Sequence, residues 1–215
     1  MSDRRLDHAL SLLADANQPD NHTLFTLGGS QIEQLRIYLD TLLMWRSRVA
    51  LIATADPVRL VQHHVIDSLQ VAPHLRECAS LADIGSGAGF PGVPLAIALP
   101  RVKVCVIESR RKKASFLREV RRAARLENVE VVEARAEEIT DRLFDAVTSR
   151  ALGSVPDFLH IASTLLRPNG TAVAMRGPDG QLEAVSDPGF ESTPTRVFYR
   201  LALGRERVLL LYRRK

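Results

Sequence analysis

Asp83, Gly85, Gly87, Gly89 and Glu108 are the residues whose types and spacing suggest chemistry first. The three glycines alternate at the end of the apolar run Leu81-Ala82-Asp83-Ile84, and Phe90-Pro91-Gly92 leads from them into another apolar stretch. A chain without Cβ atoms at alternating positions turns sharply, so a small molecule can lie against bare main chain. The N–H groups that open the following helix are expected to face that molecule and to favour an anionic group on it. Glu108 closes the run Val104-Cys105-Val106-Ile107. At the end of the next strand a carboxylate can accept hydrogen bonds from both hydroxyls of a ribose.

An adenosine-bearing ligand satisfies these features, and two classes share them, NAD and S-adenosylmethionine. By letter, Gly87-Ala88-Gly89-Phe90-Pro91-Gly92 even fits the dinucleotide pattern GxGxxG. Three features favour S-adenosylmethionine. Asp83, two residues before the first glycine, suits the ammonium of a methionine tail and repels a pyrophosphate. Pro91 and Pro94 stiffen the stretch that a pyrophosphate would have to approach closely. The third feature is the end of the chain, where a strand pair suits a methyltransferase sheet better than a nucleotide-binding half-fold.

The elements that must position these residues follow from hydrophobic periodicity. Apolar runs at Leu81 to Ile84, Val102 to Ile107, Val129 to Val132, Ala146 to Thr148 and Thr171 to Met175 read as strands. Helical patterns lie between most of them, at Val93 to Leu99, Lys112 to Leu126 and Val155 to Leu165. This alternation specifies an α/β fold, a Rossmann-like and mostly parallel sheet that binds ligands beyond the carboxyl ends of its strands. Thr195 to Leu203 and Arg207 to Tyr212 read as a C-terminal antiparallel hairpin. Ahead of the sheet the first 75 or so residues read as helical. Leu6, Leu10 and Leu13 share one face, and a polar linker, Asn17-Gln18-Pro19-Asp20-Asn21, follows. A longer helix then runs from Ser30 to about Arg48, with Ser30 and Glu33 at capping-box spacing. A third runs from Asp56-Pro57 to about Val71. The expected organisation is a helical cap over 1–76 and a methyltransferase domain over 77–215, in one compact unit.

Composition narrows the class without naming it. The chain has 215 residues, 46% of them hydrophobic, and only two cysteines, Cys78 and Cys105. No window reaches the roughly 20 continuous apolar residues of a membrane span, and a cytoplasmic monomer is expected. Net charge is +4. The positive residues concentrate between Arg110 and Arg125 and again at Arg213-Arg214-Lys215, which suits nucleic acid. His63-His64 with Asp67 has no further ligand cluster beside it, and no metal is expected.

With these residues in view, the chain resembles the bacterial small-subunit ribosomal RNA guanine-N7 methyltransferases, called RsmG or glucose-inhibited division protein B. The resemblance spans about 30–212 and is densest from Asp83 through Gly-Phe-Pro-Gly to Ile97. It continues through Glu108-Ser109, Lys112, Phe116-Leu117-Arg118, Arg135-Ala136-Glu137-Glu138, Phe144-Asp145, Ser149-Arg150-Ala151 and Glu206-Arg207. It implies methyl transfer from S-adenosylmethionine to N7 of a guanine in 16S ribosomal RNA. It also implies cofactor contact by Gly85, Phe90, Ala136, Glu137 and Arg150, with Glu108 on the ribose. Asp83, Gly87 and Gly89 join them as cofactor residues from the turn itself. Arg150 is expected to position the reacting groups, and Lys112, Arg135, Arg176 and Arg207 to hold RNA. A stripe of Arg111, Arg118, Arg122 and Arg125 is a further basic face.

Departures from the family pattern are Ala50-Leu51-Ile52 where Asn-Leu-Thr is usual, His63 for Arg, and Arg176 for Lys. The alternatives are an NAD-linked oxidoreductase on a similar sheet and a non-catalytic RNA-binding assembly factor.

Overall fold

Strands buried on both faces read as unbroken apolar runs, and the central strands here obey that rule. In β1 (Ser80–Ile84) and β2 (Lys103–Ile107) every residue after the first is buried. A computed structural model describes residues 4–15, 26–150, 153–177, 185, 187–201 and 204–215. The Asn17–Asn21 linker, Ala151 of the Ser-Arg-Ala motif and residues 202–203 of the expected hairpin lie outside the described residues.

The sheet adds β3 (Val129–Val132), β4 (Phe144–Arg150), β5 (Leu166–Arg176), β6 (Thr195–Arg200) and β7 (Glu206–Arg213), in the order β3-β2-β1-β4-β5-β7-β6. β1 to β5 pair in parallel; β7 runs antiparallel to β5 and β6 antiparallel to β7. The order reverses direction between β1 and its two neighbours β2 and β4, which opens a crevice at their carboxyl ends. The expected mostly parallel sheet with a terminal antiparallel hairpin is therefore present.

Helices cover both faces. α1 (Arg4–Asp15), α2 (Gly29–Trp45), α5 (Gly92–Ala98) and α6 (Arg111–Ala123) share a buried cluster with Leu81, Val104 and Val106 on one face. On the other face α7 (Val155–Leu165) packs Phe158, Leu159 and Ala162 against Ala82, Ile84 and Ala172. Fully burying one such Leu or Phe contributes about 1.5–3 kcal/mol. Ser154 caps α7: its Oγ accepts from Asp157 N at 3.3 Å, while Asp157 Oδ2 accepts from Ser154 Oγ at 2.6 Å.

Two helix expectations need correction. The capping box at Ser30 and Glu33 is not formed. Gly28 caps α2, Gln31 Oε1 accepts its N–H at 2.8 Å, and Gln31 Nε2 donates to Ile97 O at 2.7 Å. Glu33 instead accepts from Arg36 Nε at 3.1 Å. The expected helix to Val71 begins as read, with Asp56 accepting from Val58 N at 3.3 Å. It consists of α3 (Pro57–Leu60), a π turn over Val61–Val65 and α4 (Ile66–Leu69). The turn inserts an extra residue between buried Val61 and Val65, and His63 and His64 ride on it.

Candidate active site

The glycine turn joins β1 to α5, and its amides are already occupied. Gly85 N and Ser86 N donate to Ile107 O at 2.9 and 3.1 Å, and Gly89 N to Ser86 O at 2.7 Å. Gly87 N donates to Glu108 Oε2 at 2.9 Å, Gly92 N to Asp83 Oδ2 at 3.0 Å, and Val93 N to Gly89 O at 2.8 Å. The expectation of free N–H groups that would favour an anion is therefore overturned at these positions. What the turn offers a ligand is carboxylate oxygen and open main chain. Gly87 adopts φ 55°, a left-handed conformation, and a Cβ there would meet nothing nearer than Gly85 O at 3.7 Å. At Gly92 a Cβ would lie 2.6 Å from Asp83 Oδ2, so only glycine lets the helix approach β1 this closely.

Asp83 is fully buried, and its Oδ1 has no hydrogen-bond partner among the described residues. Burial pushes its carboxyl up to about 7, against hydrogen bonds from Ser86 and Gly92. A buried carboxylate oxygen without a donor suits a ligand ammonium. Glu108, 6% exposed, accepts from Gly87 N through Oε2 and from Arg110 N at 2.8 Å through Oε1. Each oxygen keeps one acceptor position for a hydroxyl. Glu108 N donates to Val132 O at 3.0 Å, which ties the end of β2 to the end of β3. Just beyond β3 a 3₁₀ turn over Ala136–Glu138 places buried Ala136 and exposed Glu137 on that edge. This set of acceptors fits S-adenosylmethionine: a carboxylate for the amino acid end, another for the ribose, and an apolar surface beyond.

Next to the turn, Phe90 joins the glycine-turn edge to a second, basic region. Its ring lies 5.4 Å from that of Tyr38, whose hydroxyl donates to Ala88 O at 2.7 Å. The His64 ring stacks on Phe90 at 5.1 Å, and the Arg150 guanidinium lies 5.0 Å from the Phe90 centroid. Arg150 Nη1 is 2.8 Å from His64 Nδ1. Arginine only donates, so Nδ1 accepts and the imidazole carries its proton on Nε2. Burial and then the Arg150 charge push His64 down to about 4, in keeping with a neutral ring. Asp67, 3% exposed, accepts from Tyr199 Oη at 2.6 Å and lies 3.7 Å from Arg150 Nη1 and 3.8 Å from Arg207 Nε. Burial raises its carboxyl; the Tyr199 hydrogen bond and the two guanidinium groups oppose that.

These side chains border a cavity of about 1120 Å³ between the carboxyl ends of β4 and β5, the start of β7 and the π turn. Among the described residues, Arg59, Arg150, Arg176, Arg205 and Arg207 line it with a single carboxylate, Asp67. Arg150, Arg176 and Arg207 are thus brought together as site residues. Lys112 and Arg135 do not line this cavity; both are exposed. On α6 it is Lys113 that reaches the turn, with Nζ 3.9 Å from where a Gly87 Cβ would stand. The stripe is also corrected: Arg118 pairs with Glu133 at 2.8 Å, Arg122 with Glu119, and Arg125 falls past the end of α6. His64 and Asp67 are held by Arg150 and Tyr199, and no group of three potential metal ligands occurs among the described residues. No helix among them is long and apolar enough to cross a membrane.

A parallel sheet in this order, ended by antiparallel strands, with a glycine turn after β1 and an acid after β2, defines the class I S-adenosylmethionine-dependent methyltransferase fold. An O-methyltransferase from Bacillus cereus solved in complex with SAH superposes with a TM-score of 0.60 at 15% identity, covering 97% of this chain and 100% of that one. A SAM-dependent methyltransferase from Aquifex aeolicus gives 0.57 at 20% identity, over 74% and 94% of the two chains. Within that class, residues 31–192 match GidB, the rRNA small subunit methyltransferase G family, and the chain belongs to it. Its relatives include the ribosomal RNA small subunit methyltransferase G of Syntrophotalea carbinolica, 35% identical over 193 residues that make up 85% of this chain and 89% of that protein. The protein of the same name from Desulfitobacterium hafniense is 40% identical over 164 residues, 74% of this chain and 68% of its own. Neither an NAD-linked oxidoreductase nor a non-catalytic assembly factor is supported by these likenesses.

Proposed function

We propose that this chain transfers a methyl group from S-adenosylmethionine to N7 of a specific guanine in 16S ribosomal RNA, acting as a cytoplasmic monomer. One observation carries the reading: the glycine-turn edge and the arginine-lined cavity meet at Phe90 and Arg150. The cofactor supplies a sulfonium methyl as electrophile. Asp83 holds its ammonium, Glu108 its ribose, and Gly85, Gly87, Gly89, Phe90, Ala136 and Glu137 border the rest.

Guanine N7 has an in-plane lone pair and no proton, so no general base is required. The residues around the cavity agree with that demand. The Asp67 carboxylate accepts from Tyr199 between two arginines, and His64 Nδ1 is taken by Arg150. Catalysis then rests on alignment, which in well-oriented intramolecular reactions contributes about 7–11 kcal/mol. Arg150, fixed by His64, Asp67 and the Phe90 face, is the residue that positions. Arg176 and Arg207 hold the RNA within the cavity, and Lys112 and Arg135 contact it outside.

The experiment is to incubate the protein with labelled S-adenosylmethionine and small-subunit ribosomal RNA from a strain lacking the endogenous enzyme. Label is expected in N7-methylguanine; label on another atom, or none, rejects the assignment.

A further inference from the structure

We infer that Arg59, His63 and Arg205 form a phosphate-binding edge of the cavity that holds the RNA backbone beside the target base. The inference rests on the RNA reading above and concerns residues to which that reading gives no role. Its basis is how charge is shared inside the cavity. The one lining carboxylate among the described residues, Asp67, lies against Arg150 and Arg207 and accepts from Tyr199. Arg59 and Arg205 are left at the rim. Arg59 has Asp56 at 3.9 Å, a pair with side-chain exposures of 68% and 36%, and such a pair is weak in water. No carboxylate lies within 4 Å of the Arg205 guanidinium among the described residues.

His63 completes the edge. The π turn carries it, half-buried, to the cavity wall, and its Nδ1 is buried without a hydrogen-bond partner among the described residues. The groups that face it are Arg59 one turn earlier, its neighbour His64, Asp67 on α4, Arg205 from the β6–β7 connection and Arg207 at the start of β7. Burial first, then Arg205, Arg59 and Arg207, lower its proton affinity, and Asp67 opposes them weakly. Three cations around a neutral imidazole are relieved by an anion. A tetrahedral phosphate accepts from both guanidinium groups at once and favours the protonated imidazole as a third donor. RNA presents such a group at every nucleotide.

The test compares R59A/R205A with R101A, which removes an exposed charge ahead of β2, at the opposite end of the sheet. Binding of a small-subunit ribosomal RNA fragment is measured over a salt series, with S-adenosylhomocysteine binding measured alongside. The double variant is expected to flatten the log–log salt slope by about one while R101A leaves it unchanged. In the wild type, RNA should raise the pH at which the His63 ring titrates by NMR, and R59K/R205K should restore the slope. An R59A/R205A slope equal to that of R101A overturns the proposal. So does inorganic phosphate that binds the edge tightly while the RNA slope is unmoved, which would assign the site to the free ion. If the double variant does not fold, R205Q, at an exposed position, is judged by the same slope. Wild-type protein that binds RNA with the expected slopes but transfers no methyl refutes the proposed reaction and leaves the phosphate edge standing.

Discussion

On one side of Phe90, the glycine turn places two carboxylates, Asp83 and Glu108, against amides that they or nearby carbonyls already satisfy. On the other side, five arginines and, among the described residues, one carboxylate, Asp67, line the cavity. The acidic half is rigid because backbone groups hold its side chains, and among the described residues its buried Asp83 Oδ1 has no partner while each Glu108 oxygen keeps one acceptor position. The basic half is built from side chains contributed by elements distant in sequence, and its surplus is positive. Under the proposed function, a cationic cosubstrate and a polyanion would meet opposite fields on the two sides of the Phe90 ring. Each half can be disabled while the other is left to bind.

The largest effect is expected in the basic half. Asp67→Ala leaves Arg150 and Arg207 together without their carboxylate and deprives Tyr199 of its acceptor. Breaking a buried pair in this way costs about 3–5 kcal/mol. Chemical denaturation should show a loss of that order; a loss below about 1 kcal/mol would mean that solvent already screens the cluster. A smaller effect is expected in the acidic half from Gly92→Ala, whose Cβ would stand 2.6 Å from Asp83 Oδ2. Overpacking of this kind costs about 1–3 kcal/mol. Cofactor affinity should fall with stability here, whereas RNA affinity in the folded protein stays.

The smallest effect is the pH dependence of cofactor binding. Burial holds the Asp83 carboxyl at about 7, above its ordinary 3.8. Without ligand the folded state therefore binds the extra proton between about pH 4 and 7. The Asp83 contribution to stability falls as pH rises through that window and is constant above it. A ligand ammonium needs the ionised form, so cofactor affinity should rise with pH up to about 7, by at most about tenfold per unit, and then level off. Titration calorimetry at pH 6, 7 and 8 checks this, and a flat profile would place the ammonium elsewhere.

These differences also explain what could be read from the sequence. That the parts of the acidic half come together was legible because they are local: the alternating glycines, Asp83 two residues before them, and Glu108 at the end of one apolar run. The mostly parallel sheet followed from the alternation of elements. The amides of the turn could not be counted that way, since their acceptors Ile107 and Glu108 belong to another strand. Nor does periodicity betray the π turn, because Val61 and Val65 fit an α-helical face equally well. The cluster of His64, Asp67, Arg150, Tyr199 and Arg207 exists only after folding; Asp67 and Tyr199 stand 132 positions apart. In the run His63-His64-Asp67, where no metal is expected, the structure gives the side chains to the cavity wall, to Arg150 and to Tyr199. Lys113 in place of Lys112 at the turn is a matter of one residue on α6, a rotation of about 100° that only the helix start at Arg111 fixes.

The most direct test of the divided crevice is a pair of binding measurements on two variants, Asp83→Asn and Arg207→Ala, with S-adenosylhomocysteine and with a small-subunit ribosomal RNA fragment. The opposed fields predict that Asp83→Asn weakens S-adenosylhomocysteine by tenfold or more, about 1.4 kcal/mol, and leaves RNA binding intact. Arg207→Ala should weaken RNA and leave S-adenosylhomocysteine intact. Equal losses of both ligands in both variants would contradict it.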